Sequence, residues 1–256
     1  MIHNTAIVHE KAQIGENVDI GPYAIIGENV TIGAGTRVGP HTVIEGWTEI
    51  GRENRIFQFA SIGADPQDLK FGGEKSYLKI GDRNMIREFV TLHRGTTEGG
   101  GETIIGSDNL LMAYCHVAHD CSLGNRLILA NGATLAGHVR IDDFAILGGL
   151  CAVHQFTRVG CHTMISGGAM VTQDIPPYTI AQGDRAKTVG VNQVGLKRRN
   201  FSDEAIRDIK QAYKWMFRSG LRMEDALAKI DSEMKDRPEV AVFSEFIRNS
   251  VRGIAR

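Results

Sequence analysis

No stretch of the 256-residue chain approaches the roughly 20 consecutive apolar residues that a membrane-spanning helix needs. The N-terminal MIHNTAIVHEKAQIG has no basic segment leading into an apolar one, so the expectation is a cytoplasmic protein without integral membrane contact. Cysteine is scarce. Cys115, Cys121, Cys151 and Cys161 are too few for a disulfide scaffold and form no CxxC pair, so all four should be reduced thiols. Net charge is nearly absent as well, at −1, which removes nucleic acid and anionic membrane as the main partner. The chain has no G-x-S-x-G elbow, P-loop or H-E-x-x-H helix and no cysteine placed as a nucleophile, so covalent catalysis has no candidate.

Against 6 prolines stand 30 glycines, and 42% hydrophobic with 23% charged residues make the chain neither disordered nor collagen-like. Glycine must therefore be used periodically. An aliphatic residue recurs every six positions from Ile2 through Val8, Ile14 and Ile20 to Ile62, resumes at Ile80, Ile86 and Leu92, and after a shift runs from Ile105 to Val171. Gly follows it at 15, 21, 27, 33, 39, 51 and 63, where the expectation is that it turns the chain between faces. A period of six fits neither a helix nor an isolated amphipathic strand. It fits a prism whose short faces each supply one inward aliphatic and one small residue. The small slot, four positions after the aliphatic, holds Ala24, Thr36, Thr42, Ala60, Ala133, Ala145 and Ala169, and also Cys115, Cys121 and Cys151. Those three cysteines therefore read as core packing rather than catalysis or metal binding.

Ala64–Lys79 and 96–103, with its Gly99-Gly100-Gly101, break the rhythm and should be loops thrown out from the prism, where binding residues collect. After Asp174-Ile175-Pro176-Pro177 the period stops. Ser202 suits an N-cap, with Asp203 and Glu204 in the first turn of a helix ending near Gly220. Two further helices, near 222–235 and 239–251, complete a small helical domain that covers the end of the prism. The expected division is 1–185 for the prism and 186–256 for the helices. From Leu196 onward 14 Lys/Arg face 10 Asp/Glu, so the tail carries +4 and residues 1–195 carry −5. A basic tail suits an acidic carrier protein or a pyrophosphate, and equally a solvated helix face.

Residues 18 apart should stack in such a prism, so His119, His138 and His154, separated by 19 and 16, fall within a residue or two of one column. His93 joins them if the seven-residue slip at 96–102 lies outside the coil, and His116 is close by. Asp120, Asp68 and Gln155 are in reach. Imidazole, with an unperturbed pKa of about 6.5, suits proton abstraction near neutral pH, and a direct base-assisted attack is the simplest chemistry for the cluster.

The hexads resemble the hexapeptide-repeat family, in which three hexads make one triangular turn of a left-handed parallel β-helix. The left hand comes from the resemblance alone, because parallel crossovers are otherwise nearly always right-handed. The stretch Asp108–Asp120 (DNLLMAYCHVAHD) is similar to the UDP-N-acetylglucosamine O-acyltransferases, the family that opens lipid A synthesis. So are Gln67–Lys70 (QDLK), Ile86–Glu88, Thr91–Gly95 (TLHRG), Leu135–His138 (LAGH), Val153–Phe156 (VHQF), Asp174–Tyr178 (DIPPY) and Gly195–Arg199 (GLKRR).

The resemblance implies transfer of an (R)-3-hydroxyacyl group from acyl carrier protein to the 3-hydroxyl of UDP-N-acetylglucosamine, without cofactor, metal or covalent intermediate. It implies His119 as general base, Asp120 as its orienting carboxylate and the Gly137 N–H as oxyanion donor. Asp68, Lys70, His93, His116, His138, His154, Gln155 and Asn192 would hold the sugar nucleotide. Arg198 and Arg199 would lie near uridine or phosphates, and paired arginines suit phosphate oxygens in any case. The site would lie between subunits of a homotrimer, with Gly167 leaving the acyl groove open for a longer chain. Two positions depart from the family pattern, Val194 in place of Glu and Asn200 in place of Gly. A 3-amino sugar fits the same residues as a 3-hydroxyl. Two other classes compete: a zinc anhydrase using the histidines as ligands, and a β-helix scaffold without catalysis.

Overall fold

The computed structural model describes residues 1–256 and coils the repeats into a three-faced, left-handed parallel β-helix. Each hexad places its aliphatic on a short strand paired with the strand one turn away, as Val8 lies opposite Ile26 and Leu135 opposite Val153. The first face runs over nine strands from Ile7–Val8 to Met170–Val171, and the second over eight from Gln13–Ile14 to Arg158–Val159. The third begins at Asp19–Ile20 and ends in Thr179–Gln182 and the antiparallel Lys187–Val191. Nine turns at ~4.8 Å give a prism roughly 40 Å long. Inside it, the aliphatics and the small slot form one continuous core, in which Ala24, Cys115, Ala133, Ala145 and Cys151 are buried. Burial pushes the thiols of Cys115, Cys121 and Cys151 up to about 11, 12 and 12, as core packing requires.

The glycines do different work from that expected. All but Gly63 keep ordinary backbone angles, but a Cβ on Gly15, Gly33 or Gly39 would stand 2.8, 2.6 or 2.7 Å from backbone of the next turn. Glycine is needed for the close stacking of coils. The corners are turned two residues later by left-handed non-glycine residues such as Asn17, His41 and Glu53, at φ near 57°.

Both interruptions leave the prism at the corner between the first and second faces. Leu92 lies 30 residues after its partner Ile62 instead of 18, and Val117 lies 25 after Leu92, so 12 and then seven residues stand outside the coil. The coil resumes at Tyr77 and at Glu102, so residues 77–79 and 102–103 of the two expected loops are strand.

Past residue 174 the coil continues further than the hexads suggest. Val171 still lies 18 residues after its partner Val153, but Ile175 meets Val159 and Ala181 meets Ile165, each 16 apart, so the turn between Val171 and Ile175 is two residues short and hides the last strand from a six-residue count. Helix α1 (Gln193–Arg198) follows, then α2 (Asp203–Phe217), α3 (Met223–Met234) and α4 (Pro238–Arg248). The Ser202 hydroxyl accepts the Ala205 N–H as the N-cap of α2, as expected, whereas α1 was not anticipated. A second core formed by Tyr178, Val191, Leu196 and Phe243 joins these helices to the prism end. No helix is long and apolar enough to cross a membrane.

Candidate active site

At the corner between the first and second faces, the 18-residue stagger lays consecutive residues into parallel columns. His119, Gly137 and Gln155 share one column. Asp120, His138 and Phe156 share the next, with left-handed backbone at φ near 60° and the His138 ring stacked 4.4 Å from that of Phe156. Ala118, Ala136 and His154 form a third, which His93 joins by the pairing of Leu92 with Val117. His116 stands one step back, with Thr91 and Thr134. The histidines thus occupy neighbouring columns of one edge, and the seven-residue slip does not rotate them apart.

His119 and Asp120 form a hydrogen-bonded dyad. Nδ1 of His119 lies 2.7 Å from the Oδ2 of Asp120, whose side chain is fully buried and takes both the N–H (2.8 Å) and the hydroxyl (2.7 Å) of Thr96. An ionised carboxylate only accepts, so Nδ1 carries the proton and Nε2 is left with its lone pair free. Gly137 makes room for this ring: a Cβ there would stand 2.6 Å from Cε1 and 2.7 Å from Nε2 of His119. The Gly137 N–H donates no hydrogen bond within the chain, while the N–H groups of Ala136 and His138 bond Val153 and His119. A Cβ on Gly99 would overlap the Asp120 carboxylate, so the loop carrying Thr96 lies directly over it.

The dyad opens into a groove of about 510 Å³ lined by Gln67, His116, His119, Gly137, His154 and Gln155, with an apolar strip of Val153, Met170 and Val171. Burial lowers the pKa of His116, helped by the charge of His119, and its Nδ1 shares a 2.7 Å hydrogen bond with Thr91. Burial also lowers that of His138, against the pull of Asp120. His93 does not line the groove. It is buried edge-on to His116 at 4.9 Å, its Nδ1 has no partner, and burial brings it down to about 4. The two loops meet over the edge, where Lys70 Nζ lies 3.1 Å from Glu98 and the Asp68 carboxylate accepts the Lys70 N–H.

Other expected site residues sit elsewhere on the chain. Arg199 lies 4.5 Å over the Phe144 ring, at the corner between the second and third faces, and Arg198 is exposed beside it. Asn192 is spent internally: it caps α1 by accepting the Gly195 N–H and donates to the His162 carbonyl. Gly167 is exposed at the third corner, and a Cβ there would stand 3.2 Å from the Gly149 carbonyl oxygen. Thr91, Thr96 and Gln67 were missed as site residues. Thr91 was signalled by its stacking with His116, whereas the loop residues gave no periodic signal.

His119, Asp120 and His138 hold their donor atoms within 4.8 Å of one another, which raises the question of zinc. Two ligands on one tetrahedral zinc at 2.0–2.1 Å stand about 3.3 Å apart. The 2.7 Å separation of His119 and Asp120 is that of an N–H···O bond, and both Asp120 oxygens already receive Thr96. The trio fits an oriented imidazole better than a metal centre.

The family model for UDP N-acetylglucosamine O-acyltransferase, domain 2, matches residues 174–255, and that for bacterial transferase hexapeptide repeats matches 11–46 and 102–137. The acyl-[acyl-carrier-protein]--UDP-N-acetylglucosamine O-acyltransferases of Janthinobacterium sp. (strain Marseille) and Herminiimonas arsenicoxydans are 56% and 54% identical, over 100% of this chain and 99% of each relative. The solved structure of LpxA from Acinetobacter baumannii superposes with a TM-score of 0.97 at 45% identity, covering 100% of this chain and 99% of that one.

Proposed function

This chain belongs to the UDP-N-acetylglucosamine O-acyltransferase family and is an enzyme of that activity, and we propose that His119 is its general base in a direct transfer without covalent intermediate. The observation that carries this is the His119–Asp120 dyad, tied down by Thr96 and facing the groove over Gly137. In the proposed step Nε2 of His119 takes the proton of the glucosamine 3-hydroxyl as its oxygen attacks the thioester carbonyl of an (R)-3-hydroxyacyl carrier protein. Asp120 stabilises the imidazolium, and the free Gly137 N–H receives the oxyanion. Collapse of the tetrahedral adduct expels the carrier thiolate, which takes the proton back from His119. Asp68, Lys70, His116, His138, His154 and Gln155 hold the sugar nucleotide at this edge. His93 supports His116 from behind and Asn192 sets the position of α1. Four unpaired cysteines suit a reducing cytoplasm.

Arg198 and Arg199 complete the nucleotide site from a neighbouring copy in a homotrimer. Outward side chains of the second face are mostly polar or charged, including Glu49, Lys79, Arg140 and Arg158, with Trp47 and Ile104 as apolar exceptions. Those of the third face past its first turns are apolar (Met85, Leu110, Ile128, Ile146, Met164), and the first face is apolar at its two ends (Ile7, Ile25, Val43, Ala152, Met170) with Ser61, Thr91, His116 and Thr134 between. Packing the third face of one copy toward the first face of the next brings the arginine corner to the histidine corner. The cleft between them then leads past the exposed Gly167 corner, a path for a longer acyl chain.

Replacing His119 with Ala should leave a folded trimer whose acyl transfer falls 10²–10⁴-fold. Near-normal turnover would remove His119 from the role. Mass spectrometry of product from a mixed acyl-carrier pool reads the acyl length and whether oxygen or nitrogen is acylated. Stoichiometric zinc in purified protein would revive the anhydrase reading.

A further inference from the structure

We propose that Arg94 is a positioning residue: it fixes the 65–76 loop, and with it the acceptor half of the groove, without touching substrate. Arg94 follows the strand Thr91–His93, and its side chain is buried although it bears a full charge. Its Nε–H donates to the Gly63 carbonyl (2.9 Å), Nη1 to the Ser76 carbonyl (3.4 Å), and Nη2 pairs with Asp65. Gly63 precedes the loop, Asp65 begins it and Ser76 ends it, so one guanidinium ties both ends together. Its guanidinium carbon lies over two aromatic rings, that of Trp47 at 5.3 Å and that of Phe71, from the middle of the loop, at 5.8 Å. The approach is reserved for it: Gly46 has φ +63°, and a Cβ there would overlap Nε and Cδ of Arg94.

This is a built site for a planar fork. Buried charge is tolerated only when its donors are matched, and three acceptors, one for each guanidinium nitrogen, match a fork of N–H groups but not the point charge of an ammonium. What the staple holds is the segment that places Gln67 in the groove wall and sets the Asp68 charge near His138. The inference rests on the reading that this loop holds the acceptor sugar nucleotide.

Arg94→Lys keeps the charge and loses the fork. The KM for UDP-N-acetylglucosamine should rise about tenfold or more, equivalent to about 1.4 kcal/mol. kcat should stay within about threefold, the KM for acyl carrier protein should not move, and trypsin should cut faster at Lys70 and Lys75. If Arg94→Lys fails to fold, Asp65→Asn, which leaves the guanidinium in place and removes one exposed partner, should show the same shifts at smaller size. An unchanged acceptor KM overturns the proposal, whether or not trypsin cleavage quickens. Asp68→Ala separates the two layers: it must raise the acceptor KM if the loop holds the sugar nucleotide, and if it does not, that reading fails while the trypsin result still reports on the staple.

Discussion

Gly137 is dictated by its neighbour rather than by its own backbone. The His119 ring occupies the space where a methyl would go, and the same ring must stay on the line of Asp120. Gly137→Ala should therefore displace the imidazole while sparing the fold. Misplacement of a catalytic group by about 1 Å can cost 10²-fold, so kcat should fall by roughly that factor with little change in unfolding temperature. An unaltered kcat would show that the ring does not work from its present position. The dyad was legible because adjacent His and Asp in a strict repeat must fall on adjacent columns. Thr96, which completes it, was not, because its contact is made by a loop that obeys no period.

A second residue-scale effect concerns pH. Burial depresses His93 to about 4, and His162 likewise sits at about 4, from burial and then from the charge of Arg199. Above pH ~6.5 both are neutral folded and unfolded and cost nothing. As pH falls from there toward 4, the unfolded chain binds protons that the folded chain refuses, so stability declines across that window. The urea midpoint should drop between pH 7 and pH 4.5, and His93→Asn should flatten that slope. Equal slopes for the two proteins would mean that His93 does not contribute.

At the scale of elements, the hexads specified the faces, the buried cysteine slot and the exit points of both loops, because a period of six admits few arrangements. They did not reveal what fills the slot at the corner between the second and third faces. There Asn54, Asn84 and Asn109 form a buried ladder: each side-chain oxygen accepts an N–H from the turn above, at 2.9, 2.9 and 2.7 Å, while each amide donates to a glycine carbonyl. The sign in the sequence was Asn four residues after Ile50, Ile80 and Ile105, a place read only as small. Asn84→Ala strands the Asn109 N–H and the Gly106 carbonyl, and at about 1–3 kcal/mol per unsatisfied buried group the urea midpoint should fall markedly. A loss below 0.5 kcal/mol would mean that water replaces the side chain. The shortened turn between Val171 and Ile175 and α1 escaped for the opposite reason, since they depart from the period.

For the whole molecule, the third corner poses the question of assembly. Tyr23, His41, Phe59, Phe89 and Tyr114 stack along it with ring centroids 4.9–5.2 Å apart and planes within 16°, and Leu150 is 73% exposed beyond them. An aromatic column of this length open to water is unusual for a lone chain, and it borders the third face, whose outward side chains past its first turns are apolar. If three copies join third face to first face, this corner lies at the threefold axis and the arginine and histidine corners meet at the rim. Phe89→Asp with Tyr114→Asp should then give a folded chain of monomer mass in sedimentation, without acyl transfer although His119 is intact. Mixing His119→Ala and Arg199→Ala chains tests the rim separately: co-assembled copies should recover activity, because some sites combine an intact histidine from one copy with an intact arginine from its neighbour. A trimer that survives both aspartates would move the axis to another corner, and mixed chains that stay inactive would confine each site to a single chain.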